Sequence, residues 1–145
     1  MSNAQILGAL QASSARLPYF DAHIPAGFPS PALDHMENKL SLDELLDINA
    51  PHTYVALVSG DSMIGAGIFE GDYLIVSRAI PAKPGHVVVA CLNGDVLVKR
   101  LAQKQGQYIL QSENPNYSPR YILENDELTI WGVVTHSLRN HLTHG

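Results

Sequence analysis

His86-Val87-Val88-Val89-Ala90-Cys91-Leu92-Asn93-Gly94-Asp95-Val96-Leu97-Val98-Lys99-Arg100-Leu101 reads as two strands folded back on a two-residue turn. Asn-Gly is the pair that most readily adopts the two positive φ angles of a type I′ hairpin turn, whose twist matches that of the flanking strands. Both flanks are apolar almost throughout, so each face of the hairpin is expected to be at least partly buried. Side chains alternate along a strand, so Lys99 and Arg100 leave from opposite faces, and Lys99 shares its face with Leu97 and Leu101.

The same pattern extends outward from the hairpin. Tyr54 to Ser59, Asp72 to Ser77, Gln107 to Gln111 and Leu128 to Val134 read as further strands, beside His86 to Leu92 and Val96 to Leu101. Glu70-Gly71-Asp72 and Pro81-Ala82-Lys83-Pro84-Gly85 punctuate them as turns. Six short strands with tight turns and no internal repeat predict a mostly β fold, a compact rolled antiparallel β domain.

Residues 1–40 read differently. Leu17-Pro18-Tyr19-Phe20 leads into Ile24-Pro25-Ala26-Gly27-Phe28-Pro29-Ser30-Pro31. Proline lacks an amide donor and biases its predecessor toward extended geometry, so this stretch predicts an extended N-terminal arm. Ile6, Leu7 and Leu10 suggest a short, weakly amphipathic helix at the start. Ser41-Leu42-Asp43-Glu44 has the form of a capping box and predicts a helix of about two turns, closing near Asn49 and Pro51. It marks the expected boundary between an arm, 1–40, and a β domain, 41–145.

Composition excludes several function classes. With 46% hydrophobic and 16% charged residues the chain has apolar mass for a core, which excludes disorder throughout. Its net charge of -5 and isoelectric point near 5.7 argue against direct DNA binding, which draws most of its affinity from phosphate neutralisation. Cys91 is the single cysteine, read as a small core residue, and allows neither an intrachain disulfide nor a zinc thiolate cluster. The sequence presents no membrane-length apolar run and no signal-peptide pattern, so a cytoplasmic location is expected, with no membrane partner, metal or cofactor.

The densest candidate for chemistry is Ser59-Gly60-Asp61-Ser62-Met63-Ile64, directly after a strand. A serine leaving a strand into a tight turn exposes its hydroxyl beside backbone amides able to hold an oxyanion. Gly-Asp-Ser is equally ordinary turn chemistry, and Ile64 stands where a nucleophile elbow has its last glycine. A nucleophilic serine also needs a base. The histidines (His23, His35, His52, His86, His136, His141, His144) are scattered and form no metal-binding pattern. Lys99 is the other option. An apolar strand face lowers a lysine pKa from about 10.4 toward neutrality, whereas Arg100 stays charged. The plain alternative is a lysine at a hairpin edge that snorkels to water.

Ser59-Gly60-Asp61-Ser62-Met63, followed 37 residues after Ser62 by Lys99, resembles the serine–lysine autopeptidases of the LexA/UmuD family. Ala26-Gly27-Phe28-Pro29-Ser30-Pro31-Ala32 resembles the family's self-cleavage segment. Glu70-Gly71-Asp72 with Leu74-Ile75-Val76, Asn116-Tyr117-Ser118-Pro119 and Trp131-Gly132-Val133-Val134 fit the same family. The resemblance covers roughly residues 24–138. It implies that Ser62 is the nucleophile, Lys99 the neutral general base, and Ala26–Gly27 the scissile bond. The oxyanion would be held by the backbone N–H of Ser62 and of a neighbour such as Met63. Ala26 stands where the best-known UmuD-type member carries cysteine; LexA-type members have an Ala-Gly bond. The resemblance further implies an SOS-response protein that cuts itself when stimulated by a RecA–single-stranded DNA filament. Its shortened form would be a homodimeric accessory subunit of a Y-family translesion DNA polymerase, with a UmuC-like partner.

Three rival readings are weighed against this one. A LexA-like transcriptional regulator would carry a helix-turn-helix domain, and the 40 residues before the capping box hold no two-helix pattern. A type I signal peptidase would carry a membrane anchor. A non-catalytic β interaction module would leave the fixed order of cut site, Ser62 and Lys99 unexplained.

Overall fold

The computed structural model of the chain describes residues 2–10, 16–20, 36–48 and 51–142. In chain order its elements are β1 (Ala4–Ala9), β2 (Arg16–Phe20), β3 (Met36–Ser41), α1 (Leu42–Leu45), β4 (Thr53–Val58), a 3-10 turn at Ile64–Ala66, β5 (Tyr73–Ser77), β6 (Val87–Leu92), β7 (Asp95–Lys104), β8 (Gln107–Gln111), β9 (Arg120–Tyr121) and β10 (Leu128–Leu138). They fall into two units: Met1–Leu10 with Asn49–Gly145, and Gln11–Ile48.

The first unit is one curled sheet of eight strands in the order β1-β4-β5-β10-β6-β7-β8-β9, every pairing antiparallel. The fold is therefore mostly β, as the patterning predicts, and the six strands read from sequence are β4, β5, β6, β7, β8 and β10. At the central hairpin Leu92 pairs with Asp95, and Asn93 and Gly94 take φ of 50° and 87°. Gln105 and Gly106 make the same kind of turn between β7 and β8, with φ of 52° and 79°.

The hairpin is buried on both faces. Val88, Ala90, Leu92, Leu97 and Leu101 join Leu110 and Val133 in one core cluster, while Val89 and Val98 join Ala56, Val58, Met63, Leu74 and Val76 in another. With so little helix to cover it, a sheet whose central strands are buried on both sides covers itself by curling, and the lysine face of β7 belongs to the first of these clusters. Cys91 is half-buried rather than a core residue.

Residues 4–9 are a strand, not the short helix that Ile6, Leu7 and Leu10 suggest. Ala4 pairs with Val58 and Ile6 with Ala56, and burial alternates, with Ala4 buried and Ile6 half-buried. Three apolar side chains cannot bury an isolated helix, whereas the free edge of β4 offers a row of backbone partners. Gly8, at φ 145°, accommodates the register shift that follows Ile6.

In the second unit β2 and β3 pair antiparallel, with Arg16 opposite Ser41 and Leu17 opposite Leu40. The helix that follows has four residues rather than two turns, and the expected capping box does not form. Ser41 has extended backbone and makes no side-chain cap hydrogen bond, because it is the buried last residue of β3. Among the described residues no helix is long and apolar enough to cross a membrane.

Gly132 leaves no room for a side chain between β10 and β5. A Cβ there would lie 2.8 Å from both the carbonyl oxygen of Ser77 and Cγ1 of Val76. Gly132→Ala is therefore expected to destabilise the domain by about 1–3 kcal/mol, the usual cost of overpacking. A thermal melt should show it as a fall of roughly 3–10 °C. An unchanged midpoint would refute this account of the β5–β10 contact.

Candidate active site

Ser62 sits where β4 leaves the sheet. After Val58 the chain turns through Gly60, whose φ of 78° suits glycine, and enters the 3-10 turn. Met63 is fully buried and anchors this turn in the core. The anchoring carries Ser62 inward, so its side chain is buried rather than displayed on a turn tip.

Lys99 reaches Ser62 from β7. Its Nζ donates to Ser62 Oγ at 3.0 Å and to Ser112 Oγ at 2.8 Å. Burial holds its pKa below the ordinary lysine value, since a half-desolvated ammonium is less stable than one in water. The Tyr117 ring, 5.6 Å from Nζ, lies near the outer limit of a cation–π contact and opposes this only weakly. Arg100 leaves the opposite face, pairing with Glu113 and donating to the Gly85 carbonyl oxygen at 2.6 Å.

The loop after β8 braces the serine turn. The Tyr117 hydroxyl donates to Asp61 Oδ1 at 2.5 Å, and the buried Asn114 donates through Nδ2 to the Asp61 carbonyl oxygen at 2.9 Å. Acceptance by Asp61 pushes the Tyr117 pKa up, so the phenol keeps its proton. Gly65 N–H donates to the Glu113 carbonyl oxygen at 2.8 Å, and a Cβ on Gly65 would lie 2.6 Å from that oxygen. Among the described residues, the N–H groups of Ser62 and Met63 donate to no backbone carbonyl.

A cleft of about 600 Å³ opens over this arrangement, lined by Asn3, Gly60, Ser62, Leu97, Lys99 and Tyr117 among others. Ala26 and Gly27, the expected scissile pair, lie outside the described residues, as do His23, His35 and His144. Among the described residues no histidine hydrogen-bonds Ser62; His86 accepts from Lys83 N–H and His136 contacts Thr135. Among the described residues no three His, Cys, Asp or Glu side chains gather as a metal site would require.

The structure thus brings Ser62 and Lys99 together from positions 37 residues apart. It adds Asn3, Ser112 and Asn114, none of which the sequence marks, and it joins Asp61 to Tyr117, which the sequence places in two motifs without a role. Small polar residues in loops carry no periodic pattern. Only the pairing of β7 with β8 brings Ser112 beside Lys99, and the curl brings Asn3.

A family model for Peptidase S24-like proteins matches residues 18–135. The chain is similar to the proteins named MucA of Salmonella typhimurium and of Escherichia coli, each 40% identical over 126 residues, 86% of this chain and 86% of theirs. It is also similar to the LexA repressor of Bordetella avium, 39% identical over 121 residues, which are 83% of this chain and 56% of that repressor.

Proposed function

The chain belongs to the Peptidase S24-like family of SOS-related serine peptidases and is UmuD-like, and on that premise we propose that it cuts its own Ala26–Gly27 bond with Ser62 and Lys99. The observation that carries this reading is a half-desolvated lysine amine 3.0 Å from a buried serine hydroxyl. Neutral Lys99 takes the Ser62 proton as Oγ attacks the Ala26 carbonyl carbon. The N–H groups of Ser62 and Met63 hold the oxyanion. The Lys99 ammonium then returns its proton to the Gly27 nitrogen as the bond breaks, leaving Ala26 esterified to Ser62. Water, deprotonated by Lys99, releases it. Ser112 accepts one amine hydrogen and so turns the lone pair toward Ser62.

Small residues on both sides of the bond would, in this reading, suit a narrow cleft, and the prolines that follow would favour an extended arm. In this reading the RecA–single-stranded DNA filament stimulates cleavage by favouring the docked arm. The product beginning at Gly27 is a cytoplasmic homodimer serving a UmuC-like, Y-family translesion polymerase. The net charge of -5 supports contact with DNA through other proteins rather than directly.

Native mass spectrometry before and after incubation with activated RecA tests the proposal. The expected result is a dimer whose subunits convert to a single new fragment starting at Gly27. A chain that stays whole, or one cut elsewhere, would refute the site; a monomeric mass would remove the dimer alone.

A further inference from the structure

Asn3 lies just before β1, where the β1 edge of the curled sheet meets β7. Its backbone N–H donates to the Val96 carbonyl oxygen at 3.0 Å, and its carbonyl oxygen accepts from Ser59 N–H at 3.0 Å. Its side chain repeats the bridge. Oδ1 accepts from Val98 N–H at 2.7 Å, while Nδ2 donates to the Val98 carbonyl oxygen at 3.2 Å and to Ser62 Oγ at 2.9 Å. Every hydrogen-bonding group of this residue is thereby spent either on the Ser62 segment or on the strand that carries Lys99. Ser2 Oγ, accepting from Val96 N–H at 2.9 Å, reinforces the same junction.

The bridge matters because the sheet does not supply it. Three strands, β5, β10 and β6, lie between β4 and β7, so ladder bonds relate Ser62 to Lys99 only through that whole span. Beside the ladders, the loop after β8 braces the serine turn from one side through Glu113, Asn114 and Tyr117. Asn3 ties Ser62 to the strand of Lys99 directly. It also acts on the hydroxyl itself, which has one hydrogen and two lone pairs. With one lone pair accepting from Nδ2 and the hydrogen given to neutral Lys99, a single lone pair is left to face an incoming carbonyl carbon.

We propose that Asn3 is a positioning residue, stapling the turn that bears Ser62 to the strand that bears Lys99 and fixing the Ser62 hydroxyl for proton transfer. The inference rests on the serine–lysine reading above. Asn3→Ala is expected to lower the rate of self-cleavage at alkaline pH by about 10–100-fold, the scale of one or two lost hydrogen bonds in a transition state. Asn3→Asp is isosteric, keeps the acceptor and loses both donors. Its carboxylate would share Ser62 Oγ with Lys99, hence lie within about 6 Å of the ammonium, and raise the lysine pKa. The pH midpoint of cleavage should then rise by about one unit, a shift that a merely structural role would not produce.

Amide hydrogen exchange gives a readout independent of cleavage: Val98 N–H should exchange at least tenfold faster in Asn3→Ala, having lost its acceptor. Cleavage by Asn3→Ala at or above the wild-type rate, an unmoved midpoint in Asn3→Asp, or unchanged exchange at Val98 would each overturn the staple. A wild-type protein inert at every pH would overturn the peptidase reading instead, and the exchange measurement would still decide the staple.

Discussion

Ser62→Ala is expected to leave the chain folded and uncut. The loss of self-cleavage should exceed 10³-fold, roughly the scale seen when a serine enzyme loses its nucleophile. The fold should survive because each donor to Ser62 Oγ has a second acceptor. Lys99 Nζ keeps Ser112 Oγ, and Asn3 Nδ2 keeps the Val98 carbonyl oxygen. Losing the hydroxyl from this buried site then costs about 1 kcal/mol, or roughly 3 °C in the melting midpoint. The measurement is paired: fragment mass after incubation with activated RecA, and a thermal melt on the same sample. Continued cutting at Ala26–Gly27 by a folded Ser62→Ala protein would remove Ser62 from the mechanism. In the proposed reading an arm that docks over buried Ser62 would displace water from the cleft, which is the step that RecA is proposed to favour.

The parts of this architecture that were legible in the sequence share one property: their reasons are local. Asn93-Gly94 fixes a hairpin because two adjacent residues need positive φ. The strands flanking it announce burial on both faces, and with it the apolar surroundings of Lys99. What the sequence does not announce depends on partners far along the chain. Ala4–Ala9 is a strand only because β4 has a free edge, and taken alone its few apolar residues suit a helix as well. Ser41 has a capping-box sequence, yet its last-strand position in β3 directs it elsewhere. Asn3, Ser112 and Asn114 are ordinary polar loop residues until the sheet curls and β8 pairs beside β7. The Ser62–Lys99 juxtaposition is intermediate, since each residue is suggestive by itself but only the topology sets the distance between them.

Lys99→Arg should be inactive at every accessible pH, because guanidinium does not give up its proton near neutrality. The wild-type rate should depend on pH in a manner set by the direction of the Lys99 shift. Burial lowers its pKa below the ordinary lysine value, so the neutral amine that accepts the Ser62 proton becomes populated at a lower pH than in water. Spontaneous cleavage should therefore rise with pH and level off before the ordinary lysine range near 10.4. The same sign applies to stability. The unfolded chain holds this proton more tightly, so between the folded and unfolded pKa values raising the pH stabilises the native state through this group. Stimulation by RecA should shrink as pH rises, since a docked arm desolvates Lys99 further and has less to add once the amine is already neutral. Arg100→Lys is the control. Arg100 points to the other face, and its pairing with Glu113 is partly exposed, so losing its geometry costs little and cleavage should persist. A normal rate in Lys99→Arg, or a rate flat from about pH 6 to 10, would break the lysine mechanism. A plateau already reached near pH 7 would instead indicate a histidine base, although no described histidine hydrogen-bonds Ser62.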